Sequence, residues 1–125
     1  MPIDTLGGMS HIGPETLAEL REPSRELRRL IPDVYRAFAD THQAALTDGV
    51  LDTKTKELMA LAISVSKRCD GCIASHARGA AKAGATREEV AETIGVSMLM
   101  DGGPATIYGP RALEAFDSFA APSND

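Results

Sequence analysis

Residues 52–84 read DTKTKELMALAISVSKRCDGCIASHARGAAKAG, and the periodicity of this stretch decides the fold class. Leu58, Leu61, Ala62 and Val65 recur at i, i+3, i+4 and i+7, the spacing of one helix face. Asp52 precedes them with a short carboxylate suited to accept from the free N–H groups of a first helical turn. Lys67 and Arg68 place cations where the negative end of that helix falls. A following helix is predicted to begin at Asp70 or Cys72. It runs to Gly84, a residue suited to the left-handed position after a helix C-terminus. Two cysteines and a histidine therefore stand at the joint between two helices.

The same signals extend in both directions. Upstream, Pro32 suits the first turn of a helix carrying Val34, Ala37, Phe38, Thr41 and Ala45 on one face and stopping near Gly49. An earlier helix follows Pro14, carries Leu17 and Leu20, and is expected to be interrupted at Glu22-Pro23. Residues 1–13, with Gly7, Gly8 and Gly13, show no periodicity and read as a tail or lid segment. Downstream, Thr86 and Glu89 form a capping-box pattern that opens another helix. Its stretch Ile94 to Met100 is apolar almost all round, which predicts burial on more than one side, as between subunits. Gly102-Gly103-Pro104 breaks the chain before a last helix toward Phe119, expected to bend at Gly109-Pro110, and residues 120–125 read as a frayed tail. The expectation is all-α: one helical domain of about six helices over residues 14–119, between an N-terminal tail, 1–13, and a C-terminal tail, 120–125.

Composition agrees. The 125 residues are 43% hydrophobic with no Trp, three Phe and two Tyr, so the core must be built from Ala, Leu, Ile, Val and Met packed at close range. Thirteen Lys and Arg against eighteen acidic residues give a net charge of −5, which supplies no basic surface for nucleic acid. No apolar run approaches the ~20 residues of a spanning helix, and Met1 to His11 lacks the basic and apolar blocks of a secretory signal. Neither nucleic acid nor membrane is expected as a partner, and the expected compartment is the cytoplasm. There, two cysteines separated by two residues are catalytic or metal-binding more often than a structural staple.

At about 100° per residue, Cys69, Cys72 and His76 fall within roughly 60° on a helix and can share one site. A thiol attacks as the thiolate, of which about 3% is present at pH 7 at the reference pKa of ~8.5, so activation is needed. The helix dipole favours Cys69, nearer the start, whereas a histidine at i+4 favours Cys72. The directed contact carries more weight, which makes Cys72 the nucleophile and Cys69 the resolving thiol. Glu57 lies at the edge of its helix's apolar stripe, where it can point along a seam toward the following helix. A carboxylate beside a thiol would raise the thiol pKa, so Glu57 reads as the terminal proton acceptor behind His76. The competing readings are two buried small hydrophobes, a zinc site of Cys69, Cys72, His76 and Glu57, and a non-catalytic helical oligomerisation module. His11 and His42 read as surface or packing residues, Met98 to Met100 as core or subunit contact, and Asp101 as a turn or cap residue.

Glu57, eleven residues, Cys69-Asp70-Gly71-Cys72, three residues and His76 together resemble the AhpD-like alkylhydroperoxidases of the carboxymuconolactone decarboxylase superfamily. The resemblance covers roughly Pro32 to Phe119. It includes the run Leu51 to Leu58, Ala83-Gly84-Ala85-Thr86, and Gly102-Gly103-Pro104-Ala105. It implies a helical fold assembled as a trimer or hexamer, and a thiol-dependent peroxidase or disulfide oxidoreductase whose Cys69–Cys72 dithiol reduces hydroperoxides and becomes a disulfide. It further implies roles for Glu57, Cys69, Cys72 and His76 like those argued above, and a dithiol reductant of protein or lipoyl type as partner. No haem, flavin or nicotinamide motif is visible, so no cofactor beyond the dithiol is expected. Peroxidase members commonly carry a histidine directly before the second cysteine, where this chain has Gly71, and the best-known form has two related halves where this chain is one unit. Decarboxylation usually belongs to members without the cysteine pair and is not carried over.

Overall fold

A computed structural model describes residues 11–121. Six helices follow one another: α1 (Pro14–Leu30), α2 (Pro32–Leu46), α3 (Thr53–Lys67), α4 (Asp70–Lys82), α5 (Arg87–Asp101) and α6 (Gly103–Ala120), with no strand among the described residues. Local chemistry sets most of the boundaries. The Thr55 N–H donates to the Asp52 carboxylate at 2.8 Å to start α3. The Thr86 hydroxyl and the Glu89 carboxylate exchange bonds with each other's backbone N–H at 3.1 and 2.8 Å to start α5. At the end of α4 the Ala85 N–H returns to the Ala80 carbonyl and the Gly84 N–H to that of Ala81, a closure that needs φ +86° at Gly84.

The core lies where α3, α4, α5 and α6 meet. Leu61, Val65, Ile73, Val90, Ala74, Ala77, Ala80, Ala105, Ala112 and Ala115 are all fully buried. Six alanines in that set let helix backbones approach closely, the arrangement expected of a chain poor in aromatics. Ile12 also enters this core, and His11 stands with Nδ1 2.9 Å from Glu114 and Nε2 3.2 Å from Glu15, so the residues just before α1 are tied to α6. Residues 1–10 and 122–125, which hold most of the two expected tails, lie outside the described residues.

Two local expectations are corrected. Glu22-Pro23 does not interrupt the first helix: α1 runs through Pro23. Pro23 and Glu19 are both exposed, so the Glu19 carbonyl that loses its intrahelical donor faces water. Second, α2 ends at Leu46 rather than near Gly49, because Thr47 turns extended and both its N–H and its hydroxyl bond back to the Gln43 carbonyl. Within this single chain the all-round apolar run on α5 is buried on one side. Ile94 and Ser97 face the core, whereas Val96, Leu99 and Met100 are exposed. The apolar face of α2 is exposed too: Val34 and Phe38 lie open, and α2 contributes no buried residue. Helix α6 continues through Pro110.

Candidate active site

The site is assembled at the turn between α3 and α4. α3 is capped at its C-terminus by Arg68, the one non-glycine residue with positive φ among those described, at +54°. The Arg68 N–H then reaches the Val65 carbonyl and the Cys69 N–H that of Ser64. These bonds close α3 and fix the backbone of Cys69 before α4 begins. The Arg68 guanidinium lies 3.4 Å from Asp101 at the end of α5, so Asp101 pairs across helices in addition to ending its own.

Cys69 is not helical. It is the N-cap of α4, with φ −104° and ψ 102°, while Cys72 sits in the first turn. That break from the helix brings the two Cα atoms to 5.2 Å and allows the Cys69–Cys72 disulfide that closes the turn. The Cys69 sulfur also accepts from the Cys72 backbone N–H at 3.2 Å, doing the work that a capping oxygen does elsewhere. Cys72 is exposed and Cys69 half-buried.

One turn further along α4, the His76 Nδ1–H donates to Oε1 of Glu57 at 2.7 Å. Glu57 is only 8% exposed, an uncommon place for a carboxylate without a partner. With Nδ1 committed as donor, a neutral His76 ring presents Nε2 as its acceptor. The seam between the helices admits this pair because position 79 has no side chain: a Cβ on Gly79 would overlap the Glu57 carboxylate.

The structure thus brings Glu57 and His76 into contact and joins Cys69 to Cys72. Two residues that the sequence reading did not place here also belong to the surroundings. Gly79 is one; its only signal was a glycine inside a helix, where it costs about 1 kcal/mol relative to Ala. The other is His42 of α2, whose ring stacks on that of His76 with centroids 5.9 Å apart and planes 17° from parallel. At Gly71 a Cβ would come 3.1 Å from Leu20 of α1, so α1 closes over that position.

Residues 32–115 match the family described as Carboxymuconolactone decarboxylase family. The chain belongs to that family. A carboxymuconolactone decarboxylase family protein from Legionella pneumophila, solved in its apo form, superposes with a TM-score of 0.80 at 42% identity, over 83% of this chain and 93% of that one. An uncharacterised protein of Cupriavidus necator is 37% identical over 84% of this chain and 93% of its own length. A Paracoccus denitrificans protein described as uncharacterised protein 4 in the cox locus is 36% identical over 83% and 90%. As a family member the chain has the all-helical architecture expected from its sequence, and none of its described helices is long and apolar enough to cross a membrane.

Proposed function

We propose that this family member is a thiol-dependent oxidoreductase of the hydroperoxidase type, working through the Cys69–Cys72 dithiol with His76 and Glu57 as proton relay. The observation that supports this reading is the 2.7 Å Glu57–His76 bond one turn along α4 from the disulfide-bonded Cys69–Cys72 pair. In the reduced state Cys72, the exposed thiol, passes its proton to the relay and attacks the terminal peroxide oxygen. An S–O bond forms, the O–O bond breaks, and an alcohol leaves with a proton. The Cys69 thiol then gives up its proton and attacks the sulfur of the Cys72 sulfenic acid; the S–S bond forms, the S–O bond breaks, and the departing hydroxide takes that proton to leave as water.

The geometry also supports the return half of the cycle. A dithiol reductant attacking the exposed Cys72 sulfur expels Cys69 as thiolate, and the Cys72 N–H at 3.2 Å is placed to stabilise that leaving group. The exposed Val96, Leu99 and Met100 face of α5 supports assembly into a homo-oligomer, for which light scattering at a single chain mass would be the contrary result.

The decisive experiment mixes pre-reduced protein with an organic hydroperoxide and follows peroxide and free thiols together, beside Cys72→Ser and a metal analysis. Loss of two thiols per peroxide, abolished by the substitution, is expected. Inert thiols, with or without bound zinc, would overturn the reading.

A further inference from the structure

We infer that His42 is a positioning residue for the His76 ring, an inference that rests on the reading of His76 as proton carrier. The bond from Nδ1 to Glu57 anchors one edge of the imidazole. A single hydrogen bond fixes a direction but leaves the ring free to rock about it, and the outer torsion of histidine is intrinsically broad. The second constraint comes from another element. His42 on α2 lies nearly parallel to His76, 17° between planes and 5.9 Å between centroids, in an offset stack against it. His42 is itself flanked by Phe38 one turn earlier, with centroids 6.4 Å apart and planes at 54°.

Burial does not account for this stack. Phe38 is 66% exposed, His42 is exposed, and α2 contributes nothing to the core. The stack is one of the few places where α2 meets the rest of the molecule through a specific side-chain geometry. What it holds is the ring whose Nε2 must face one way for the relay to work. The hydrogen bond from α3 and the offset stack from α2 together constrain the plane of a side chain on α4. An aromatic surface, rather than a second titrating group, is the required feature, because stacked ring faces exchange no proton between them.

The test uses full-length 15N-labelled protein in its disulfide form, compared as wild type, His42→Ala and His42→Phe. The chain has three histidines, so the His76 ring nitrogens can be assigned with these variants. In wild type and His42→Phe the His76 nitrogens are expected to give the separated shifts of a fixed Nδ1–H tautomer. In His42→Ala they are expected to move toward averaged values. In parallel, peroxide consumption by reduced protein should fall roughly tenfold in His42→Ala and recover most of that in His42→Phe, the scale of a misdirected catalytic group. Wild-type His76 shifts in His42→Ala would overturn the inference. So would a His42→Phe that behaves like the alanine variant, since the imidazole itself would then be needed. Should the wild type consume no peroxide, the functional reading fails on its own, and the ring shifts still decide whether His42 orients His76.

Discussion

The α3–α6 bundle and the α1–α2 pair draw on the same apolar residue types and use them in opposite ways. In the bundle Ala74, Ala77, Ala80, Ala105, Ala112 and Ala115 are all at 0% exposure, and Leu61 and Val65 with them. In the pair Leu27, Leu30, Val34 and Phe38 are between 47% and 79% exposed. Helix starts differ too: α3, α4 and α5 each have a side-chain acceptor at the N-cap, from Asp52, Cys69 and Thr86, whereas α1 and α2 start at Gly13 and Ile31 with none, as does α6 of the bundle at Gly102. The proposed relay would need fixed distances, and Glu57, His76 and both cysteines belong to the tightly packed half. The loosely packed half contributes His42 and Leu20, side chains that border the site.

The largest effect expected is a contrast in stability. Leu61→Ala removes a fully buried side chain from the bundle and should cost about 2–5 kcal/mol in urea unfolding, whereas Phe38→Ala should stay within about 0.5 kcal/mol. A Phe38→Ala cost equal to that of Leu61→Ala would break the comparison and place Phe38 against a second copy of the chain. Next comes Gly79→Ala. Its Cβ would overlap the Glu57 carboxylate, so overpacking should cost about 1–3 kcal/mol and the Glu57–His76 bond should be lost. Under the proposed function, peroxide turnover should then drop on the order of a hundredfold, as for a displaced catalytic group. A Gly79→Ala protein with unchanged turnover would show that the relay does not depend on the close α3–α4 seam. Smaller again is Thr86→Ala, which removes the N-cap oxygen of α5 and should lower stability by about 1 kcal/mol.

What could be read in advance follows the same division. Asp52, Thr86 with Glu89, Pro32 and Gly84 were legible because a cap is local chemistry, decided by residues within one turn. The grouping of Cys69, Cys72 and His76 follows from spacing, whereas Glu57 taken alone reads as a solvated helix glutamate and is singled out by the family resemblance; the structure places it against His76. The Pro23 error came from treating a helix breaker as absolute where solvent can satisfy the freed carbonyl. The faces of α2 and α5 were seen as apolar, but periodicity does not say whether the surface that covers a face belongs to the same chain. His42 was missed because its partner lies 34 positions along the chain, on a helix whose placement only the tertiary fold determines. Gly79 was missed because its meaning lies in the side chain opposite it.

Acid should unfasten the two halves differently. The Thr55 side-chain and backbone bonds, in that order of weight, hold the Asp52 carboxyl below its ordinary value, and the Thr86 N–H followed by Lys54 does the same for Glu89. A carboxylate whose folded pKa is depressed contributes stability that is present above its unfolded pKa and is lost as pH falls through the folded one. Lys54, raised by its 2.9 Å bond to Glu89, works in the opposite window, its contribution being lost only as pH rises through its elevated value. Between about pH 5 and pH 3 hydrogen-exchange protection should therefore fall at the first turns of α3 and α5, with little change at those of α1 and α2, whose N-caps have nothing to titrate. Asp52→Asn keeps a capping oxygen while removing the charge, so it should flatten the acid response of α3 and leave that of α5 intact. If α1 and α2 lost protection first, the weakly packed pair would be governed by a titrating contact elsewhere, with the carboxylates around His11 at the base of α1 the first to examine.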